Sequence, residues 1–316
     1  LKKYTDKGKE VFSFIKKLGK EFSQDNVTKY SASLAYYTVF SLAPLIIIIV
    51  TVSGLIFGRE AMQGELYYQL KDLVGSEAAI QIQSNIRNIH LSGDTPIATT
   101  ISIVALLMGS TAIFGEIQDS LNKIWGLRIK SKGVWWKIII NRLLSFSVII
   151  SMGFLLIVSL LINALVAALK NWLIQNISIT TEVFMSVFDV ILSLLITSTI
   201  FAVIFKVLPD ARIKWRDVIY GAVFTSILFM LGKYGIAYYI GRSNFASLYG
   251  AAGSVIIILV WSYYSSVILF LGAEFTKVYA SDYGGKIYPN DYSVWIKVEE
   301  VPVDHVTLAQ EVKSKV

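Results

Sequence analysis

The residues best suited to chemistry in this 316-residue chain are charged side chains that lie beside long apolar runs. Glu116 and Asp119 follow one such run, and Lys123 comes four residues after Asp119, so all three share one face of a helix. Small and polar residues form an adjacent stripe and apolar residues lie opposite, namely Thr111, Gly115, Gln118 and Asn122, and Ile113, Ile117, Leu121 and Ile124. Ionisable side chains are costly in hydrocarbon and usually face protein or water. Their placement indicates a gate or relay, with solvation among lipid headgroups as the alternative interpretation.

The predicted depth of each position separates the charged residues into two groups. The inner group contains Glu116, Asp119, Arg142 and Glu274, and the outer group contains Asp189, Lys233 and Arg242. One hypothesis pairs a carboxylate with Arg142 on one side and Asp189 with Lys233 on the other, so that each group closes one mouth of a pathway. The alternative for Lys233 is that its long side chain extends outward to the interface. Proton or cation coupling through Glu116 or Glu274 stays open.

Uncharged polar residues form a third candidate region. Ser262, Tyr263 and Ser266 lie near the middle of the last apolar run, and Ser262 and Ser266 share a helix face. This cluster favours a water-accessible cavity near the bilayer centre. The alternative is that small residues allow close helix contacts while their hydroxyls bond back to their own helix.

The first apolar run adds Tyr36, Tyr37 and Pro44 to the cavity candidates. A proline inside a helix removes one backbone hydrogen bond and crowds the carbonyl four residues earlier, so Pro44 predicts a kink. A substrate would then enter among the first, fourth and last apolar runs.

Composition determines the class of element that carries these residues. The chain is 55% hydrophobic and 16% charged, whereas ordinary soluble domains contain roughly 25% charged residues. A spanning helix needs about 20 mainly apolar residues, and six stretches qualify: 34–57, 97–115, 138–168, 187–208, 218–240 and 250–273. The predicted fold class is an all-α polytopic membrane protein with six transmembrane helices.

The distribution of Lys and Arg predicts the orientation of these six helices. Of the 29 Lys and Arg residues, 22 fall in the N-terminal segment, the second and fourth connections and the tail, and 5 fall in the other connections. The positive-inside rule therefore predicts that both termini are cytoplasmic. Two inner connections share the tripeptide Arg-Ile-Lys, at 128–130 and 212–214, which is too short to indicate a repeat.

Three segments follow from this topology. Residues 1–33 are predicted as a cytoplasmic amphipathic segment, 34–280 as the transmembrane domain, and 281–316 as a polar cytoplasmic tail. Residues 58–96 are predicted as a periplasmic insertion of two short helices within the transmembrane domain. The N-terminal helix, with Val11, Ile15 and Leu18 at helical spacing beside several lysines, either lies on an anionic leaflet or packs on the protein's own loops.

Several kinds of chemistry have no signature in the sequence. The chain contains no cysteine and two isolated histidines, and it lacks a phosphate loop and a nucleophile elbow. We therefore predict no catalytic residues, no metal site, no cofactor and no nucleic-acid partner. Ribonuclease activity is not expected, because a metal nuclease needs several clustered ligands.

Four separated motifs resemble a known family over about residues 20–285. They are Ser31–Tyr37 running to Leu42–Leu45, then Gly109–Gly126, then Leu208-Pro209 before a basic loop, then Ser247–Ser254 running to Gly272–Phe275. The chain resembles the YihY/BrkB family, which has also been labelled ribonuclease BN. The resemblance implies a multi-pass protein of the bacterial inner membrane, and it implies a transporter more than an enzyme.

The leading hypothesis is a transporter or exporter of an amphiphilic or lipid-like envelope molecule, moved through a polar cavity within the membrane. The alternative is a scaffold that recruits partners in envelope biogenesis without transporting anything, and a membrane enzyme is the least favoured interpretation. The expected partners are membrane lipids and an amphiphilic substrate. The oligomeric state stays open, a homo-oligomer included.

Overall fold

A computed structural model of the chain describes residues 2–41, 112–130, 180–242 and 252–296. The predicted insertion at 58–96, the predicted span at 138–168, and Pro44 and Arg142 lie outside the described residues.

Six helices account for most of the described residues. Their bounds are α1 Lys2–Gln24, α2 27–41, α3 112–124, α4 Thr180–Val207, α5 Trp215–Arg242 and α6 Ala252–Asp282. The chain turns between α1 and α2 at Asn26, whose φ of 54° lies in the left-handed region that asparagine tolerates. The predicted N-terminal segment is thus one helix followed by the start of a second.

Three of these helices are long and apolar enough to cross a membrane. The qualifying stretches are Val190–Val207 in α4, Trp215–Ile236 in α5 and Val255–Asp282 in α6. They correspond to the fourth, fifth and sixth predicted spans. A mainly helical fold with three candidate membrane spans is therefore confirmed, while the total of six spans stays a prediction.

Helices α5 and α6 approach closely because each has a glycine opposite a threonine of the other. A Cβ at Gly221 would lie 2.9 Å from the Cβ of Thr276, and a Cβ at Gly272 would lie 2.8 Å from the Cβ of Thr225. Both threonine hydroxyls donate to a carbonyl of their own helix, Thr225 to Gly221 at 2.6 Å and Thr276 to Gly272 at 2.7 Å. Small residues with satisfied hydroxyls are the usual means of close helix packing in membranes.

Two short strand pairs were not predicted by the all-α fold class. Strand β1 (Leu127–Ile129) pairs antiparallel with β4 (Ser293–Trp295), and β2 (Ala211–Arg212) pairs antiparallel with β3 (Tyr288–Pro289). Both Arg-Ile-Lys segments thus lie partly in a strand, and each of these strands pairs with a strand of the tail. The paired residues are at least 76 residues apart in sequence, so local periodicity carries no signal for them.

The loop segments and helix ends meet at one end of the described helices, which we call the polar end. It contains α1, the ends of α3, α4 and α6, the start of α5, and the four strands. Its apolar core includes Leu121, Ile124, Phe205 and Phe270, all fully buried. Parts of the four Lys- and Arg-rich segments therefore share one end, and the side of the membrane that they face stays a prediction.

Gly126 follows α3, and a substitution at this position tests the stability of the polar end. Its φ of 66° is left-handed, and its carbonyl accepts from the Ile296 amide at 2.7 Å. Among the described residues, a Cβ there would meet the Ile296 carbonyl oxygen, at an ordinary 3.5 Å. We expect Gly126→Ala to lower the free energy of unfolding by about 1 kcal/mol through backbone strain alone. Thermal melting in detergent measures this. Gly115→Ala, inside α3 with nothing within 4 Å, is the control and should not be destabilised.

Candidate functional site

A buried network around Asp210 joins three parts of the polar end. Asp210 follows Leu208-Pro209, where α4 has ended, and it is 2% exposed. Its carboxylate accepts from Gln118 Nε2 at 3.1 Å and from Asn122 Nδ2 at 2.7 Å, and its own amide donates to Asn122 Oδ1 at 2.9 Å. Each carboxylate oxygen therefore has a donor from α3, as a buried carboxylate requires.

The tail bonds to the same residue from the other side. The Asp210 carbonyl accepts from Ser293 Oγ at 2.7 Å and from the Asn290 amide at 3.1 Å. Burial raises the pKa of Tyr292, and the nearby Asp210 carboxylate raises it further. Asp210 is thus the shared partner of α3 and the tail.

A second cluster lies where α1 ends against α6. Glu274 is 0% exposed, and neither of its carboxylate oxygens accepts a hydrogen bond from any residue that the structure describes. The Lys277 ammonium lies 3.5 Å from Glu274 Oε2 and 2.7 Å from Glu21 Oε2, and it also pairs with Asp25. We call these four residues the carboxylate cluster.

Helix α1 is held on α6 by contacts around this cluster. Phe14 packs edge-on against Phe275 with ring centroids 5.3 Å apart, and Lys17 pairs with Asp282 at 2.5 Å. One face of α1 therefore packs on α6 of the same chain, while the predicted packing on loops and the predicted contact with a leaflet stay predictions. A second face leaves large apolar side chains exposed, namely Val11, Phe12 and Ile15.

The acidic pair Glu116 and Asp119 does not lie in either cluster. Asp119 is exposed, Glu116 is half-buried, and no ion pair of either is found within the described residues. The neighbouring stripe of Gln118 and Asn122 points at Asp210 instead. Of the three members of the predicted inner group that the structure describes, only Glu274 lies in a buried charged cluster.

The other candidates lie at scattered places along the helices. Tyr36 is 57% exposed and packs against Phe40 at 4.6 Å between centroids, Tyr37 is also exposed, and Lys233 is exposed on α5. Asp189 lies in α4, but its side chain is outside the described residues, as is Arg142. The predicted pairs of Asp189 with Lys233 and of Arg142 with a carboxylate stay predictions.

The serine cluster of α6 divides into two kinds of hydroxyl. Ser262 and Ser266 are buried, Tyr263 is half-buried, and Ser266 Oγ donates to the Ser262 carbonyl at 2.7 Å, which is the packing alternative. The hydroxyls of Ser265 on α6 and Ser198 on α4 are buried without any hydrogen-bond partner among the described residues. Both lie near the middle of their apolar stretches.

Sequence reasoning missed four residues that form two separate contacts in the structure, Asp25 with Lys277 and Asp210 with Ser293. Asp25, Lys277, Asp210 and Ser293 all lie in predicted cytoplasmic segments, where charged and polar side chains are ordinary. Only the Leu208-Pro209 motif of the family resemblance stood beside one of them. Asp25 and Lys277 are 252 residues apart, and Asp210 and Ser293 are 83 residues apart, so spacing could not reveal these two contacts.

Apolar helices long enough to cross a bilayer, joined at one end by a buried polar network, define an integral membrane protein of helical type. A family profile described as virulence factor BrkB matches residues 18–292. The chain belongs to the virulence factor BrkB family, which confirms the YihY/BrkB resemblance.

The chain is also similar to several proteins named UPF0761 membrane proteins. The relative from Tolumonas auensis is 25% identical over 255 residues, 80% of each chain. The relative from Stenotrophomonas maltophilia is 27% identical over 279 residues, 86% of this chain and 62% of its own length. The relative from Pseudoalteromonas atlantica is 25% identical over 267 residues, 84% of this chain and 85% of its own. No solved structure matches.

Proposed function

We propose that this protein is a transporter of an amphiphilic or lipid-like envelope molecule in the bacterial inner membrane, with both termini in the cytoplasm. The observation that carries the proposal is the pair of buried hydroxyls without a hydrogen-bond partner among the described residues, Ser198 on α4 and Ser265 on α6. A polar group without a partner in an apolar region costs free energy. In this proposal the passing headgroup or water supplies the missing hydrogen bonds.

The polar end supports an inner gate in this scheme. Asp210 holds α3, the loop between α4 and α5, and the tail together, while the carboxylate cluster holds α1 on α6. An opening at this end would have to separate one of these two sets of contacts. The lipid-exposed helix faces would let an acyl chain stay in the bilayer while its headgroup follows the polar groups.

The test is translocation of fluorescently labelled phosphatidylglycerol in proteoliposomes, followed by bleaching of the label on the outer leaflet. We expect Ser265→Ala to lower the rate by about threefold, the effect of one hydroxyl contact in a membrane interior. Ser266→Ala, the same deletion at the next residue, removes only a bond to its own helix and should leave the rate within experimental error. Rates equal to those of protein-free liposomes would refute transport of this class of lipid, and equal effects of both variants would refute the hydroxyl pathway.

A scaffold is the second candidate function, and one observation favours it. Val11, Phe12 and Ile15 form an exposed apolar stripe on α1, while another face of the same helix is fixed to α6. A rigidly held apolar stripe is suited to binding a partner helix or the leaflet surface. Wild-type translocation at the protein-free rate, with membrane recruitment of partners lost in Phe12→Ser, would favour this function over transport.

A further inference from the structure

The carboxylate cluster combines three acidic side chains from separate parts of the chain around one buried, unsatisfied group. Glu21, Asp25 and Glu274 each place one carboxylate oxygen within 4.8 Å of the other two. Glu274 is fully buried and its oxygens lack any hydrogen-bond donor among the described residues. A buried carboxylate without a donor is neutralised either by a proton or by a positive partner, and the Lys277 ammonium lies 3.5 Å away.

We propose that Glu21, Asp25 and Glu274 form a binding site for a hard divalent cation of the calcium type. Oxygen atoms on opposite sides of Ca²⁺ are about 4.8 Å apart, because Ca–O distances are 2.3–2.6 Å. Each of the three oxygens lies within 4.8 Å of the other two, so one Ca²⁺ ion can contact all three. Mg²⁺ requires shorter bonds of about 2.0–2.1 Å and near-octahedral geometry, and it usually keeps several waters rather than binding in an all-protein site.

Charge balance supports a divalent ion. The three carboxylates beside the single Lys277 ammonium leave a formal excess of two negative charges. A divalent cation neutralises that excess, whereas one proton shared between Glu274 and Asp25 would leave one negative charge. Charges that are removed from water are stable only when they are compensated in this way.

The Lys277 ammonium occupies the site and competes with the cation for the carboxylates. Its ammonium contacts Glu21 and Asp25, and its side chain is 24% exposed, so the flexible stem has a path to solvent. Binding of the metal ion shifts the ammonium to the solvent-facing edge of the cluster, where it still offsets one carboxylate charge. The site would thus link the docking of α1 to the divalent cation concentration on that side of the membrane.

The site is independent of the proposed transport, because cation binding is measured on purified protein without any flux. The chelator-treated full-length chain in detergent is titrated with CaCl₂ by isothermal calorimetry at constant ionic strength, with MgCl₂ in a parallel titration. We expect one saturable Ca²⁺ site. Glu274→Gln should weaken binding by about tenfold or more, the scale of lost metal-site contacts, and Asp25→Asn should do the same if the first variant does not fold.

Lys277→Gln distinguishes a cation site from a purely structural cluster. Removal of the competing ammonium should tighten Ca²⁺ binding by about tenfold, since like charges a few ångströms apart oppose each other. Asp282→Asn, which breaks the Lys17 pair at the same helix contact, is the control and should leave the affinity unchanged. Absence of saturable binding below millimolar Ca²⁺, an undiminished affinity in Glu274→Gln, or weaker binding in Lys277→Gln would overturn the proposal.

Discussion

Replacement of Asp210 by alanine is expected to give the largest loss of stability of any single substitution at the polar end. The variant leaves the buried Asn122 amide and the half-buried Gln118 amide without their acceptor. A buried donor that loses a charged partner costs about 1.5–3 kcal/mol, so the total loss is about 3 kcal/mol. For a chain of this size the apparent melting temperature should fall by roughly 6–12 °C.

Thermal melting in detergent measures the effect of Asp210→Ala, and Asp291→Ala is its control. Asp291 is an aspartate of the same end whose carboxylate pairs with Arg212 at 2.6 Å while 86% of its side chain is exposed. Exposed ion pairs contribute about 0–1 kcal/mol, so this variant should melt close to the wild type. Equal melting temperatures for the two variants would mean that the Asp210 network does not hold the polar end together.

The second large effect is expected at the crossing of α5 and α6. Gly272→Ala places a Cβ that overlaps Thr225 Oγ1 and lies 2.8 Å from its Cβ. Thr225 is fully buried, so the helices must move apart. Overpacking of this kind costs about 1–3 kcal/mol, and it should lower the melting temperature and the yield of folded protein in the membrane.

A compensating substitution tests whether this contact causes the loss. Thr225→Gly removes the atoms that meet the new Cβ, so the double variant Gly272→Ala/Thr225→Gly should lose less stability than the sum of the two single variants, by about 1 kcal/mol or more. Gly235→Ala, also on α5 but with nothing within 4 Å, should be within about 0.5 kcal/mol of wild type. Strict additivity of the two single variants would contradict the close approach.

Part of the candidate site could be predicted from the sequence and part could not. The helical pattern of Gly109–Gly126 correctly separated an apolar face from polar ones, and Ile117, Leu121 and Ile124 are indeed buried. Of its two polar stripes, the acidic one is predicted as the candidate site, because charged side chains cost more free energy in apolar surroundings than neutral polar ones do. The structure uses the neutral stripe, since Gln118 and Asn122 can donate to a buried carboxylate and acidic side chains cannot.

The serine cluster shows a similar limit. The length of the last apolar run predicts that the cluster lies near the bilayer centre. The run forms one continuous helix, α6. Which hydroxyls are satisfied does not follow from spacing. Ser266 bonds back to its own helix while Ser265, the preceding residue, has no partner among the described residues, because that depends on what faces each side of the helix.

The sequence by itself determined the membrane class, the apolar runs of α4, α5 and α6, the family, and the grouping of the basic segments. These properties depend on composition, length and local periodicity, which the linear chain contains in full. Only the tertiary structure decided that Asp210 binds α3, that the tail pairs with both Arg-Ile-Lys segments, and that Glu274 meets Glu21 and Asp25. Those contacts join residues distant in sequence, and their free energy comes from burial and pairing that exist only once the helices have packed.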